Sequence, residues 1–239
     1  SFDWDGVTVV TAADVPVNVV QLLRDDQPVL AAEQVNHRYE PVALVACADR
    51  ARLARALRAV RLDIEQLPPL LDAAAALAGD LVIWGEDNVQ SRYLITKGVA
   101  DTANSAAAIE AALSSAEVVV TGRYTSGHQE QLYLEPQGMT AWWDEAGVHA
   151  IGSLQCPYFV VKAFARALAL EPEQVHITQA VTGGGFGGKE EYPSIIGLHA
   201  ALLAKKSGRP VRLIYDRSED IEATTKRHPS ECVIRSGCD

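Results

Sequence analysis

Val175-His-Ile-Thr-Gln-Ala-Val181 runs directly into Thr182-Gly-Gly-Gly-Phe-Gly-Gly-Lys-Glu190. The first seven residues read as a strand. The second stretch sets five glycines around one phenylalanine. A helix is expected from Pro193 to Lys206, stopped by Ser207-Gly208 and Pro210. Strand, glycine turn and helix in succession point to a mixed α/β or α+β fold. Glycine lacks Cβ, so such a turn can bend tightly and approach a ligand closely. Its amides can converge on an anion, and the following helix adds a positive end.

Three uses of this turn compete. A phosphate loop needs Ser or Thr after Gly-Lys, and Gly188-Lys189 is followed by Glu190. Gly183, Gly185 and Gly188 fit the dinucleotide spacing GxGxxG, with Asp216 beyond the next strand, so a nucleotide-binding module stays open. A turn that serves packing alone, in a non-catalytic structural domain, is the third.

Working outward, Pro157 opens a helix whose Val161, Phe164, Ala165 and Leu168 follow helical spacing, with Glu171-Pro172 ending it. Thr140–Trp143 and Val148–Ile151 flank Asp144-Glu-Ala-Gly147 as a hairpin. Val118–Tyr124, Gln131–Glu135 and Val211–Tyr215 read as further strands. In the first third, Pro41–Cys47 suits a buried strand. Asp49 then caps a helix carrying Leu53, Leu57 and Val60, and Leu62–Leu67 reads as a strand closed by Pro68-Pro69. The pattern weakens between Asp72 and Glu117, apart from a helix near Ala106–Leu113. Two domains are therefore expected, 1–72 and 117–239, with 73–116 connecting them.

The chain has 239 residues with 48% hydrophobic and 22% charged, an ordinary globular composition. Its net charge of −10 disfavours a grip on nucleic-acid phosphates. No run is long and apolar enough to span a membrane, and the start is no signal peptide, so a cytoplasmic protein is expected. Cys47, Cys156, Cys232 and Cys238 form no CxxC pair and read as buried thiols rather than metal ligands. His128-Gln-Glu130 has the HxE of a zinc deaminase without its PCxxC, so zinc is not expected. His149, His176 and His199 read as surface or satisfied core residues.

Taken together, the motifs resemble the molybdenum-cofactor-binding subunit of the xanthine dehydrogenase and aldehyde oxidoreductase family. Gly183-Gly-Gly-Phe-Gly-Gly-Lys-Glu190 looks like its molybdopterin-contacting turn. Gln131-Leu-Tyr-Leu-Glu-Pro136, Leu154-Gln155, Gly208-Arg-Pro-Val-Arg212, Asp216-Arg-Ser-Glu-Asp220 and Arg227-His-Pro229 follow the family order. Glu190 stands 35 residues (190 − 155) after Gln155, as in the family. Tyr39-Glu-Pro-Val42 and Ile64-Glu-Gln-Leu-Pro68 resemble the small hammerhead-type α/β domain that precedes the cofactor domains.

The resemblance implies hydroxylation of an aldehyde, purine or N-heterocycle carbon with water as oxygen source. It implies a molybdenum–molybdopterin cofactor, in its cytosine dinucleotide form, held through the pterin with no direct protein ligand to the metal. Gln155 would donate its amide toward the metal centre. Phe186 and Gly187 would offer backbone amides, Gly184, Gly185 and Gly188 would permit close approach, and Glu190 would contact substrate. Electrons would leave through an iron–sulfur [2Fe-2S] subunit and an FAD subunit, or equivalent domains. The family's general base and second cofactor domain lie beyond the span that this chain resembles. An N-terminal fragment of the subunit, inactive alone, is the expectation.

Overall fold

Met139, Ala141 and Trp143 alternate with Thr140, Trp142 and Asp144, giving one strand an apolar face and a polar face, and the sheet is built around it. The computed structural model describes residues 2–21, 24–98 and 102–239. In chain order its elements are β1 (Val7–Thr11), β2 (Ala43–Cys47), α1 (Arg50–Ala59), α2 (Ala73–Ala78), α3 (Ser105–Ser115), β3 (Val118–Ser126), β4 (Gly138–Asp144), β5 (Gly147–Gly152), α4 (Pro157–Leu168), β6 (Val175–Gln179), α5 (Tyr192–Ser207), β7 (Val211–Ile214), α6 (Arg217–Ala223) and β8 (Ser230–Cys238). The fold is mixed α/β, as its sequence indicates.

Contacts divide the described residues into two compact units. One comprises 1–62 and 129–227; the other comprises 63–128 and 228–239. The boundaries expected at 72 and 117 are not where contacts divide. The opening segment closes onto the later half because Val10, Val20, Val29 and Leu30 are buried in one core with α4, α5 and β4. Residues 99–101 of the expected connecting stretch lie outside the described residues.

In the first unit a four-stranded sheet has the order β6-β5-β4-β7. β4 pairs antiparallel with β5 and β7, and β5 pairs parallel with β6. α5 lies against this sheet and is buried from Tyr192 through Ala204, which is why its sequence is apolar all round rather than on one stripe. Gly197 lets α4 approach: a Cβ there would meet the Phe164 ring at 3.0 Å. Trp143 Nε1 donates to Ala201 O at 2.8 Å, satisfying a half-buried indole and an α5 carbonyl together. β1 and β2 form a separate antiparallel pair. His199, on α5, donates from Nε2 to Val29 O at 2.9 Å, so it is a satisfied core histidine.

Several local expectations change in this unit. Gln131–Glu135 is not a strand; Leu132 takes φ 52°, which breaks extended pairing. α4 ends at Ala169 in the left-handed conformation, before Glu171-Pro172. Its buried face is Val160, Ala163, Phe164, Ala167 and Leu168, with Val161 and Ala165 only partly covered. Asp49 caps α1 by accepting from Arg52 N at 2.6 Å, yet Leu57 is 54% exposed and Ala56 is the buried position. β2 is half-buried throughout.

In the second unit β3 pairs antiparallel with β8 as a two-stranded ribbon, and Leu113 of α3 and Ala116 just past its end lie beside Gly237. Leu62–Leu67, across the junction of the two units, is extended and exposed but unpaired, so it is not a strand. All four cysteines are free. Cys232 and Cys238 are exposed and Cys47 and Cys156 half-buried, so none is a buried core thiol.

Candidate functional site

The glycine turn leaves β6 after Gln179 and reaches α5 at Tyr192. Gln155 lies in the loop between β5 and α4, three residues past the strand end rather than on it. The two are bonded to each other. Gln155 Oε1 accepts from Gly187 N at 3.1 Å and Lys189 N at 3.2 Å, and Gln155 N donates to Lys189 O at 2.7 Å. An amide oxygen held by two N–H donors cannot exchange places with its nitrogen. Nε2 therefore faces outward, with no partner among the described residues.

The glycines make this closeness possible. A Cβ on Gly185 would collide with Gln155 Oε1, and one on Gly188 would meet Tyr133 Cε1 at 2.6 Å. Phe186 takes φ 51° and is 78% exposed, so it fills no core space. The amides of Gly184, Gly185 and Phe186 carry no hydrogen bond among the described residues. Gly187, expected to offer its amide outward, spends it on Gln155.

Beneath the turn lies a polar scaffold that motif reading missed. Lys189 is wholly buried. Its Nζ donates to Glu135 Oε2 at 3.0 Å and to Ser153 Oγ at 2.8 Å, and sits 4.7 Å from the Tyr133 ring centroid. Glu135 Oε2 also accepts from Gly183 N at 2.7 Å, and Gly183 O accepts from Glu135 N at 3.3 Å. Burial raises the Glu135 carboxyl, but bonds from Ser153, Gly183 and Lys189 outweigh it and hold the pKa below the ordinary carboxylate value. Gln137 Nε2 donates to Gly188 O at 2.8 Å and to Tyr133 Oη at 3.0 Å. Tyr133 in turn donates to Asp220 Oδ1 at 3.0 Å, and Arg217 pairs with Asp220 Oδ2 at 3.0 Å. Burial and then the Asp220 charge push the Tyr133 hydroxyl well above its usual range, so it stays a donor. A signal existed in the sequence: Gln131–Pro136 and Asp216–Asp220 are the stretches that supply this scaffold.

Glu190 is exposed, just ahead of α5, which begins at Tyr192. Cys156 lies near enough to feel it. Burial, then the charges of Glu190 and Glu191, raise the thiol pKa, which disfavours the thiolate form. His128 is exposed, and His149 stacks between His176 and Trp142 at centroid distances of 4.5 and 5.1 Å. No group of three His, Cys, Asp or Glu suited to a metal ion occurs among the described residues.

The two nucleotide-binding readings of the turn do not fit this geometry. Lys189 is turned into the core and paired, so it cannot reach a phosphate. β6 and β7, which flank α5, lie at opposite edges of the sheet rather than side by side, so the turn does not open a dinucleotide-binding βαβ unit.

Residues 94–239, more than half of the chain, match the model of the molybdopterin cofactor-binding domain. The chain belongs to that family. Its relatives are oxidoreductases of the xanthine dehydrogenase and aldehyde oxidoreductase type. The chain is 30% identical to a probable xanthine dehydrogenase subunit of Bacillus subtilis over 97% of its own length and 30% of that protein. It is 28% identical to the nicotinate dehydrogenase large molybdopterin subunit of Eubacterium barkeri, over 89% of its length and 48% of that protein. Among solved structures, the aldehyde oxidoreductase of Desulfovibrio gigas matches with a TM-score of 0.79 at 26% identity, covering 98% of this chain and 26% of that one. The aldehyde oxidoreductase of Desulfovibrio desulfuricans gives 0.82 at 25% identity, over 98% and 27%. The chain thus spans less than half the length of these relatives.

Proposed function

We propose that this chain holds one side of a molybdenum–molybdopterin cofactor in a molybdenum hydroxylase. The substrate would be an aldehyde, purine or N-heterocycle, hydroxylated at an electrophilic carbon with water as oxygen source. One observation carries the reading: Gln155 has its oxygen locked into the turn and its nitrogen turned out, beside the unengaged amide of Phe186. Both groups are donors, so the rim they form suits an electron-rich, acceptor-bearing group. The close-fitting glycines leave room for such a group at the backbone. The residues present therefore fit the cofactor.

When bound, the cofactor supplies the two-electron oxidation that no side chain of this site can perform. Gln155 Nε2 would donate to the metal end of the cofactor without ligating metal, fixing its orientation and polarity. The Phe186 amide would donate alongside it, and Gly184, Gly185, Gly187 and Gly188 would keep the approach open. Glu190, free and exposed at the start of α5, would meet a polar edge of the substrate. The general base and the opposite wall of the cofactor site are assigned to the remainder of the subunit, so the isolated chain should be inactive. The cytosine dinucleotide form of the cofactor, a [2Fe-2S] subunit and an FAD subunit complete the proposal, and the cytoplasm is its proposed location. No described helix is long and apolar enough to cross a membrane.

The test is to isolate the chain with the rest of its subunit and partners from a molybdate-fed host, and to measure molybdenum and pterin. About one molybdenum per chain is expected, and Gln155→Ala should lower hydroxylase activity ten- to hundredfold, the usual size for an outer-layer contact. An assembled complex free of molybdenum and pterin would overturn the reading.

A further inference from the structure

The two ends of the glycine turn meet at one oxygen atom. Glu135 Oε2 accepts from Gly183 N, where the turn begins, and from Lys189 Nζ, where it ends. Ser153 Oγ accepts a second bond from the same ammonium. Lys189 is wholly buried, yet Glu135 leaves 44% of its side chain exposed. A buried ammonium has no water to fall back on, so it holds whatever position its two acceptors dictate. Lys189 is also the residue whose N–H and C=O both bond Gln155. Placing the Lys189 side chain thus places the backbone that aims the Gln155 carboxamide.

We infer that Lys189, Glu135 and Ser153 form a clasp that closes the Gly183–Lys189 turn and fixes the outward direction of Gln155 Nε2, making Lys189 and Glu135 positioning residues for the cofactor. Neither needs to touch it. Glycine-rich backbone is intrinsically free to wander, and five glycines in six positions would not hold one shape unaided. Without the clasp, the Gly187 and Lys189 amides lose their common address and the Gln155 amide is free to rotate. The geometric part stands without any functional assignment; its consequence for cofactor retention rests on the function proposed above.

The full chain can be tested by amide hydrogen exchange and by the NMR signals of the Gln155 side-chain amide. In Lys189→Met, which keeps the length of the side chain and removes its charge, protection of the Gly187 and Lys189-position amides should fall at least tenfold. The Gln155 signals should broaden, while amides of α5 such as Leu198 and Leu202 keep their protection. Glu135→Gln, on a half-exposed side chain, should give a smaller loss of the same pattern, and it decides the matter if Lys189→Met does not fold. Unchanged protection at Gly187 in Glu135→Gln would overturn the clasp, as would an equal loss throughout α5, which marks mere destabilisation. In the assembled complex, molybdenum per chain should drop at least tenfold in Lys189→Met. Wild-type occupancy there, together with lost local protection, would leave the clasp standing and refute its role in positioning. A wild-type complex without molybdenum would instead remove the proposed function and leave the exchange result intact.

Discussion

The two units use similar strands to opposite ends. β4 and β3 are both rich in β-branched or aromatic residues and each pairs antiparallel with a later strand. β4 then lies under α5, and Met139 and Ala141 are fully buried. β3 pairs with β8 alone, and Val118, Val119 and Val120 are 53%, 43% and 64% exposed. Every fully buried apolar residue among those described belongs to the first unit. Strand-forming sequence therefore sets a backbone shape in both, while stability comes from a buried apolar core, which among the described residues only the first unit possesses. The candidate site sits wholly on the unit that has one, as a site requiring fixed donors should.

The largest expected effect comes from breaking that core. Phe164 is fully buried on α4 against Gly197 of α5. Phe164→Ala should cost about 3–5 kcal/mol, read as the urea midpoint of the first unit's unfolding. A loss below about 1 kcal/mol would mean that α4 and α5 do not share a core, and the contrast between the units would fail.

Next comes His199, fully buried on α5. Burial lowers its pKa to about 4, against a bond to Val29 O that raises it. The folded state thus favours the neutral ring, and the unfolded chain, titrating near 6.5, binds the proton first. Stability from this residue is complete above about pH 6.5 and is lost as pH falls toward about 4. At pH 5 the loss should be roughly 2 kcal/mol. Thermal unfolding from pH 7 to pH 5 should show that slope, and His199→Gln should flatten it. A slope surviving in the variant would assign it to other groups.

Gly187 tests the turn against the core that carries it. Its φ is +89° and nothing lies within 4 Å of where a Cβ would stand. Gly187→Ala should therefore cost only about 1–2 kcal/mol, all of it backbone strain, with no packing penalty. A larger fall in the unfolding midpoint would show that the turn is packed more tightly than this geometry allows.

What the sequence made legible follows the same division. The hairpin at Asp144–Gly147, the Asp49 cap and α5 with its Gly208 stop are local features, written in consecutive residues. The glycine turn stood out by its own residues and Gln155 only through the family resemblance, and the structure brings the two into direct contact. Three-dimensional accounting was needed for the rest. Lys189 is a charged residue at the end of a glycine turn, yet it is buried because Glu135 and Ser153, distant in sequence, receive it. Gln131–Glu135 reads as a strand, but Glu135 spends its polar groups on Gly183 and Lys189 of the turn instead of on a ladder. Leu62–Leu67 has strand composition and pairs with no strand among the described residues. Pairing partners are long-range facts, which local pattern does not contain.

The smallest expected change in stability belongs to the ribbon. On one face of it stand Val118, Val120 and Tyr124 of β3 and Ile234 of β8, 53%, 64%, 61% and 48% exposed; β3–β8 register puts them on the same side. Replacing an exposed residue loses little packing, so Val120→Lys and Ile234→Lys should each shift unfolding by no more than about 0.5 kcal/mol. Association is another matter. A contiguous apolar face between two unpaired strand edges is the kind of surface that seldom stays solvated, and lysine opposes both its burial and edge-to-edge pairing. In sedimentation velocity the unmodified chain should self-associate as its concentration rises, and the double variant should remain monomeric over the same range. If both sediment as monomers, the exposed face is not sticky and the second unit is better covered than its side chains indicate. If both associate equally, the contact lies elsewhere, and the difference between the two units must rest on burial alone.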